Sequence, residues 1–294
     1  MTAAGGARAQ QTDAAARGEY IFRAAGGCSC HTNIVREGIV RGGPFLAGGR
    51  PLKTPFGTFY SPNITPDAET GIGGWSEADF LRAMRQGIAP DGSHYFPVFP
   101  YTSFTKASDA DLRDLKAYLD AVPAVRQVNR EHDVAAPYGW RATVGAWKWL
   151  YFEQGRWQPD AAKSETWNRG AYLANALAHC GECHTPRDAL GGADEALRYA
   201  GARDGPEGEP APSITPHATT GIGRWSTGDV AKLLKTGLKP DFDDVQGVMA
   251  EAIEAGYRHL SDADRAAIAE YVLSLPPIDN RIERDKPASD SPYD

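Results

Sequence analysis

A chain of 294 residues, 41% hydrophobic and 23% charged, can bury one large core or two small ones and has an ordinary globular composition. Its formal charge of −7 offers no basic stripe for displacing phosphate counterions, which argues against a nucleic-acid partner. The most apolar stretch, Val144 to Phe152, is short and interrupted by Lys148, so no transmembrane segment is expected.

At the N-terminus, Ala7-Arg8-Ala9 looks like the small-x-small end of an export signal, with no apolar stretch before it. Residues 1–15 read either as a signal remnant or as a disordered Ala/Gly arm. A first helix is expected from about Ala14 to the cysteines at Cys28 and Cys30. A second follows the capping pattern Ser76-Glu77-Ala78-Asp79, with an apolar stripe of Phe80, Leu81, Met84 and Ile88. A third starts at Ser108-Asp109-Ala110-Asp111, turns Leu112, Leu115, Tyr118 and Leu119 to one face, and ends before Pro123.

The segment 127–166 is rich in aromatics, including Tyr138, Trp140, Trp147, Trp149, Tyr151, Phe152 and Trp157. It reads as packing between two units, or else as a surface for a partner. The tail 281–294, rich in Asp, Pro and Ser, reads as disordered. Strand signals are almost absent. The long Gly- and Pro-rich loops point to a core filled by something other than side chains.

The chain is duplicated. Asn63-Ile64-Thr65-Pro66 returns as Ser213-Ile214-Thr215-Pro216, and Gly71-Ile72-Gly73-Gly74-Trp75-Ser76 as Gly221-Ile222-Gly223-Arg224-Trp225-Ser226. Arg17-Gly18 returns as Arg169-Gly170, and Ser108 to Asp111 as Ser261 to Asp264. Two homologous units follow, at 16–126 and 167–280.

Cys180-Gly181-Glu182-Cys183-His184 is the C-x-x-C-H pattern of covalent haem attachment. Two thiols one helical turn apart reach the two vinyl groups, and the adjacent His184 reaches the iron. A zinc site would need two further ligands at similar spacing, and a thioredoxin-like motif would not need the histidine. In the first unit Cys28-Ser29-Cys30-His31 is one residue short. Cys30 and His31 keep their places, and haem is held by both thiols or by Cys30 alone, or the unit carries none. Pro44, in Gly43-Pro44-Phe45-Leu46, could aim a carbonyl at the proximal imidazole or could serve only a turn.

Met249 lies in the loop after the second unit's second helix, where a sixth iron ligand is expected. The aligned residue of the first unit is Phe99, which cannot ligate, and Met84 falls on a core stripe. His94 is the substitute ligand, or the first iron is five-coordinate. His132, His259 and Tyr101 are weaker candidates.

The chain resembles the di-haem and tri-haem class I cytochrome c subunits of bacterial alcohol, gluconate and aldehyde dehydrogenases. The matching stretches are Thr54 to Thr58, Asn63 to Asp67, Gly71 to Trp75, Trp167 to Leu173 and His179 to Arg187. The resemblance implies an all-α fold of two tandem class I cytochrome c domains, each with a covalently bound haem c. It also implies that they relay electrons from a dehydrogenase partner to a downstream acceptor. A periplasmic location and no catalysis of its own are expected. The alternative is a peroxidase-like enzyme with an open first haem.

Overall fold

The computed structural model describes residues 3–33 and 43–282. Most of the tail expected to be disordered therefore lies outside the described residues.

Helix α1 spans Ala3–Ala24 and leads into a tight 3-10 turn, Gly26–His31. Then come β1 Pro51–Thr54, β2 Gly57–Tyr60, α2 Glu77–Gln86, α3 Tyr101–Phe104 and α4 Asp109–Leu119. Strand β3, Asp133–Val134, and helix α5, Arg141–Tyr151, occupy the aromatic segment. The second half contains α6 Glu165–Tyr172, α7 Cys180–His184, α8 Thr227–Thr236, α9 Gly247–Ala255 and α10 Asp262–Leu273.

Serine hydroxyls cap the helices as the sequence implies. Ser76 and Ser226 form reciprocal capping boxes with Asp79 and Asp229, and Ser108 and Ser261 accept from the backbone N–H of Asp111 and Asp264. Each such cap is worth about 1 kcal/mol. Helix α1 begins well ahead of Ala14, because the Ala-rich segment read as a disordered arm has high helix propensity.

The first and last helices of each half cross where one of them carries glycine. A Cβ at Gly18 would overlap the Asp114 carbonyl, and one at Gly170 the Ala267 carbonyl. Phe22, Leu112 and Leu115 are buried in the first half, and Ala171, Ile268 and Val272 in the second, within one continuous core that runs through both.

The halves are tied reciprocally. Tyr20 of α1 donates to Asp264 at 2.6 Å and accepts from the Ser261 N–H at 3.1 Å. Tyr172 of α6 donates to Asp111 and accepts from the Ser108 N–H at 3.0 Å. Each half's first helix thus caps the other half's last.

The described residues are mostly helical, as the near absence of strand signals implies, with one small three-stranded sheet that the sequence did not show. Strands β1 and β2 pair antiparallel from Pro51↔Tyr60 to Thr54↔Gly57, and β3 adds Gly57↔Val134 and Thr58↔Asp133. The turn at Pro55-Phe56 fits the hairpin, with Gly57 at φ 131. In the second half the same place holds only the bridge Ala202↔Ala211.

Helix α5 spans the halves and leaves one face open. Trp147 Nε1 donates to the Leu190 carbonyl at 3.0 Å, Tyr151 to Asp188 at 2.8 Å, and Phe152 meets the edge of Tyr101. Trp140 and Trp149 are exposed, while Trp147, Tyr151 and Phe152 pack between the halves. Among the described residues no helix is long and apolar enough to cross a membrane.

Candidate haem attachment sites

Each half brings a pair of thiols and an imidazole together by a different backbone route. In the second half, His179 takes the left-handed conformation at φ 42, and Cys180–His184 forms one helical turn. In the first half the motif Cys28–His31, within the turn Gly26–His31, is one residue shorter, and the left-handed residues are Gly26 at φ 72, Gly27 at φ 67 and Cys28 at φ 44. The missing residue moves the kink into the cysteine itself, where a side chain makes it cost about 1–3 kcal/mol.

The imidazoles are oriented alike. His31 Nδ1 lies 2.8 Å from the Pro62 carbonyl, and His184 Nδ1 lies 2.7 Å from the Pro212 carbonyl. Donating Nδ1–H to a carbonyl fixes the tautomer and leaves Nε2 as the open donor for iron. Burial lowers the pKa of both rings against the opposing pull of these carbonyls, which favours the neutral form that an iron ligand requires. Pro44 is not the acceptor: its carbonyl takes the Ala47 N–H at 3.2 Å in a simple turn.

No disulfide joins the four cysteines. Burial pushes the thiols of Cys28 and Cys183 up to about 12 and that of Cys180 up to about 11, and Cys30 is raised as well. Among the described residues no three His, Cys, Asp or Glu side chains converge on a metal position. Unpaired thiols beside an imidazole with a free Nε2 fit haem attachment at both places.

Met249 is half-buried near the start of α9, packed against the core. Phe99, its counterpart, sits among the rings of Tyr95, Tyr101 and Phe104. Met84 is buried in the core. His94 is held under α5: its Nδ1 lies 3.0 Å from Lys148 Nζ, and its carbonyl accepts from Arg141 at 2.9 Å. Burial, then the Lys148 charge, lowers the pKa of His94. His132 accepts from the Tyr60 N–H at 3.1 Å, and His259 donates to the Glu254 carbonyl at 3.2 Å. The Tyr101 hydroxyl is fully buried and has no hydrogen-bond partner among the described residues.

The structure also shows site residues that sequence reasoning missed. Glu182, inside the second motif, accepts from Thr102 and Ser103 of α3, each at 2.6 Å, and from Arg187 at 2.6 Å. Phe104 meets His179 edge-on at 5.5 Å. Reciprocally, Arg23 donates to the Ala255 carbonyl of α9 at 2.8 Å. The distal segment of each half therefore covers the attachment motif of the other. A carboxylate inside a thiol motif was the visible signal; its hydroxyl partners lie some eighty positions away.

A family model described as cytochrome c matches residues 168–276. A "diheme cytochrome c-type" protein of Cereibacter sphaeroides is 43% identical over 91% of this chain and 88% of its own length. The chain belongs to the c-type cytochromes. The fructose dehydrogenase cytochrome subunit of Gluconobacter japonicus is 40% identical over 88% of this chain and 52% of its own. The gluconate 2-dehydrogenase cytochrome c subunit of Pantoea cypripedii is 38% identical over 88% and 59%. The chain thus spans between half and three-fifths of these two dehydrogenase subunits.

As a c-type cytochrome this is an electron-transfer protein rather than an enzyme, which sets the peroxidase-like reading aside. Bound haem c supplies one-electron redox chemistry. The chain's own part is to hold a neutral imidazole in one tautomer and to cover each attachment turn with the opposite half.

Proposed function

We propose that this cytochrome carries two haem c groups and relays electrons in the periplasm from a partner dehydrogenase to a downstream acceptor. The observation that carries this reading is the repeated constellation of thiols and an imidazole anchored to a proline carbonyl, at 2.8 and 2.7 Å. The first haem is held at Cys28 and Cys30 with His31 on its iron, and the second at Cys180 and Cys183 with His184 and Met249. A dehydrogenase partner is supported by the relatives named as subunits of fructose and gluconate dehydrogenases.

Lys148 engages His94 at Nδ1, 3.0 Å away, so Nε2 is the nitrogen that would meet the first iron. Phe99 offers no alternative at the aligned position.

Intact mass of the matured, denatured protein from the periplasmic fraction tests the count and the location together. Two attached haems are expected. One would reduce the chain to a single-centre carrier resting on Cys180, Cys183, His184 and Met249, and recovery of holoprotein from the cytoplasm alone would refute the location. Carbon monoxide added to the reduced protein then tests His94, since a ligated first iron leaves the spectrum unchanged.

A further inference from the structure

The helix that carries Met249 rests on the opposite half. Gly27 in the first attachment turn has no room for a side chain, because a Cβ would lie 2.7 Å from that of Ala255. Gly256, just past α9, backs onto Gly26, where a Cβ would lie 2.5 Å from its Cα.

A buried ion cluster fastens the other side. Arg50, 4% exposed, donates Nη1 to Glu251 at 2.5 Å and Nη2 to Glu207 at 2.6 Å. The same Nη1 lies 3.5 Å from the carbonyl of Ser29, between Cys28 and Cys30. Glu251 is two residues beyond Met249 on α9. One guanidinium therefore reaches both the first haem's attachment motif and the helix bearing the second iron's distal residue.

We propose that Arg50 is a positioning residue for ligation of the second iron, holding α9 so that the Met249 thioether meets the metal. This rests on the reading of Met249 as the sixth ligand. A thioether on a flexible side chain ligates reproducibly only if its backbone is held to within about 0.5 Å. Arg50 supplies that hold from the first half, so the second haem's potential depends on the neighbouring attachment turn. Removing Arg50 takes away the buried cation that both Glu251 and Glu207 face, and with it the ionic hold on α9.

The test uses matured, full-length holoprotein and the variants Arg50→Gln, Glu251→Gln, Arg50→Lys and Met249→Leu. Two readouts are followed: the sulfur-to-iron charge-transfer band of the oxidised protein, and the higher potential in a redox titration. Arg50→Gln and Glu251→Gln are each expected to weaken the band and lower that potential. Their combination should do little more than either alone, and Arg50→Lys should restore part of the effect.

If Met249→Leu abolishes the band but Arg50→Gln and Glu251→Gln keep both readouts at wild-type values, the positioning role is overturned, even if thermal stability falls. If Met249→Leu leaves the band intact, the ligand reading fails and this proposal with it. Should Arg50→Gln yield no holoprotein, Glu251→Gln alone decides.

Discussion

Lys148 shows what a single half-buried charge does to this fold. Its ammonium donates to the carbonyls of Gln86 and Gly87 and faces His94, and burial pushes its pKa down to about 8 from an ordinary 10.5. Below pH 8 it is protonated in folded and unfolded chains alike, and the folded state bears the whole desolvation cost. Between about 8 and 10.5 the unfolded chain holds a proton that the folded one has released, so stability rises with pH in that window. Urea unfolding of the holoprotein is expected to show this rise, and Lys148→Met to remove it; parallel pH profiles would refute the assignment. Cys28 makes a second expectation at this scale. Because Cys30 keeps the normal position beside His31, Cys28→Ala should retain haem through one thioether in the denatured mass spectrum, and loss of that haem would mean Cys28 is the essential bond. The cysteines and their histidines were legible in the sequence because attachment chemistry demands contiguous spacing. The carbonyl acceptor was not, since several prolines lie within reach. The repeat of Pro62 at Pro212 was the available discriminator.

Among the elements, helix starts were readable because a serine cap acts over three residues. The hairpin at β1 and β2 was missed because strands of four residues each are too short for a period-two pattern to stand out from loop. What no local pattern could show is that Tyr20 and Tyr172 cap each other's partners. Losing a hydrogen bond to a charged acceptor costs about 1.5–3 kcal/mol. Tyr172→Phe and Tyr20→Phe are each expected to lower the unfolding free energy of the holoprotein by that order, without loss of haem. A change of only a few tenths in chemical denaturation would show that these tyrosines merely fill space. Gly18→Ala should be more damaging, since its methyl overlaps the Asp114 backbone and neither helix can retreat from the core.

For the molecule as a whole, the duplication was plain in the sequence, while the interlocking of its copies was not. The contacts that join the halves pair residues from distant stretches: Thr102 with Glu182, Arg50 with Glu251, Tyr20 with Asp264. Each is an ordinary polar residue until the fold brings its partner. The repeat also permits the halves to differ, with Met249 in one and Phe99 in the other. Since a Met ligand raises the potential, two separate midpoints are expected in a redox titration, and Met249→Leu should lower the higher one. A single midpoint that Met249→Leu leaves unmoved would overturn this account.

The cover over the first attachment turn has a consequence in time. For a chain exported N-terminus first, Cys28, Cys30 and His31 emerge long before Glu251, Ala255 and Gly256, which close over them. During export the first site therefore stands open while the segment that will cover it has not yet followed. A haem loaded early meets an accessible pair of thiols, whereas one arriving after the last quarter of the chain has folded must first lift α9 away.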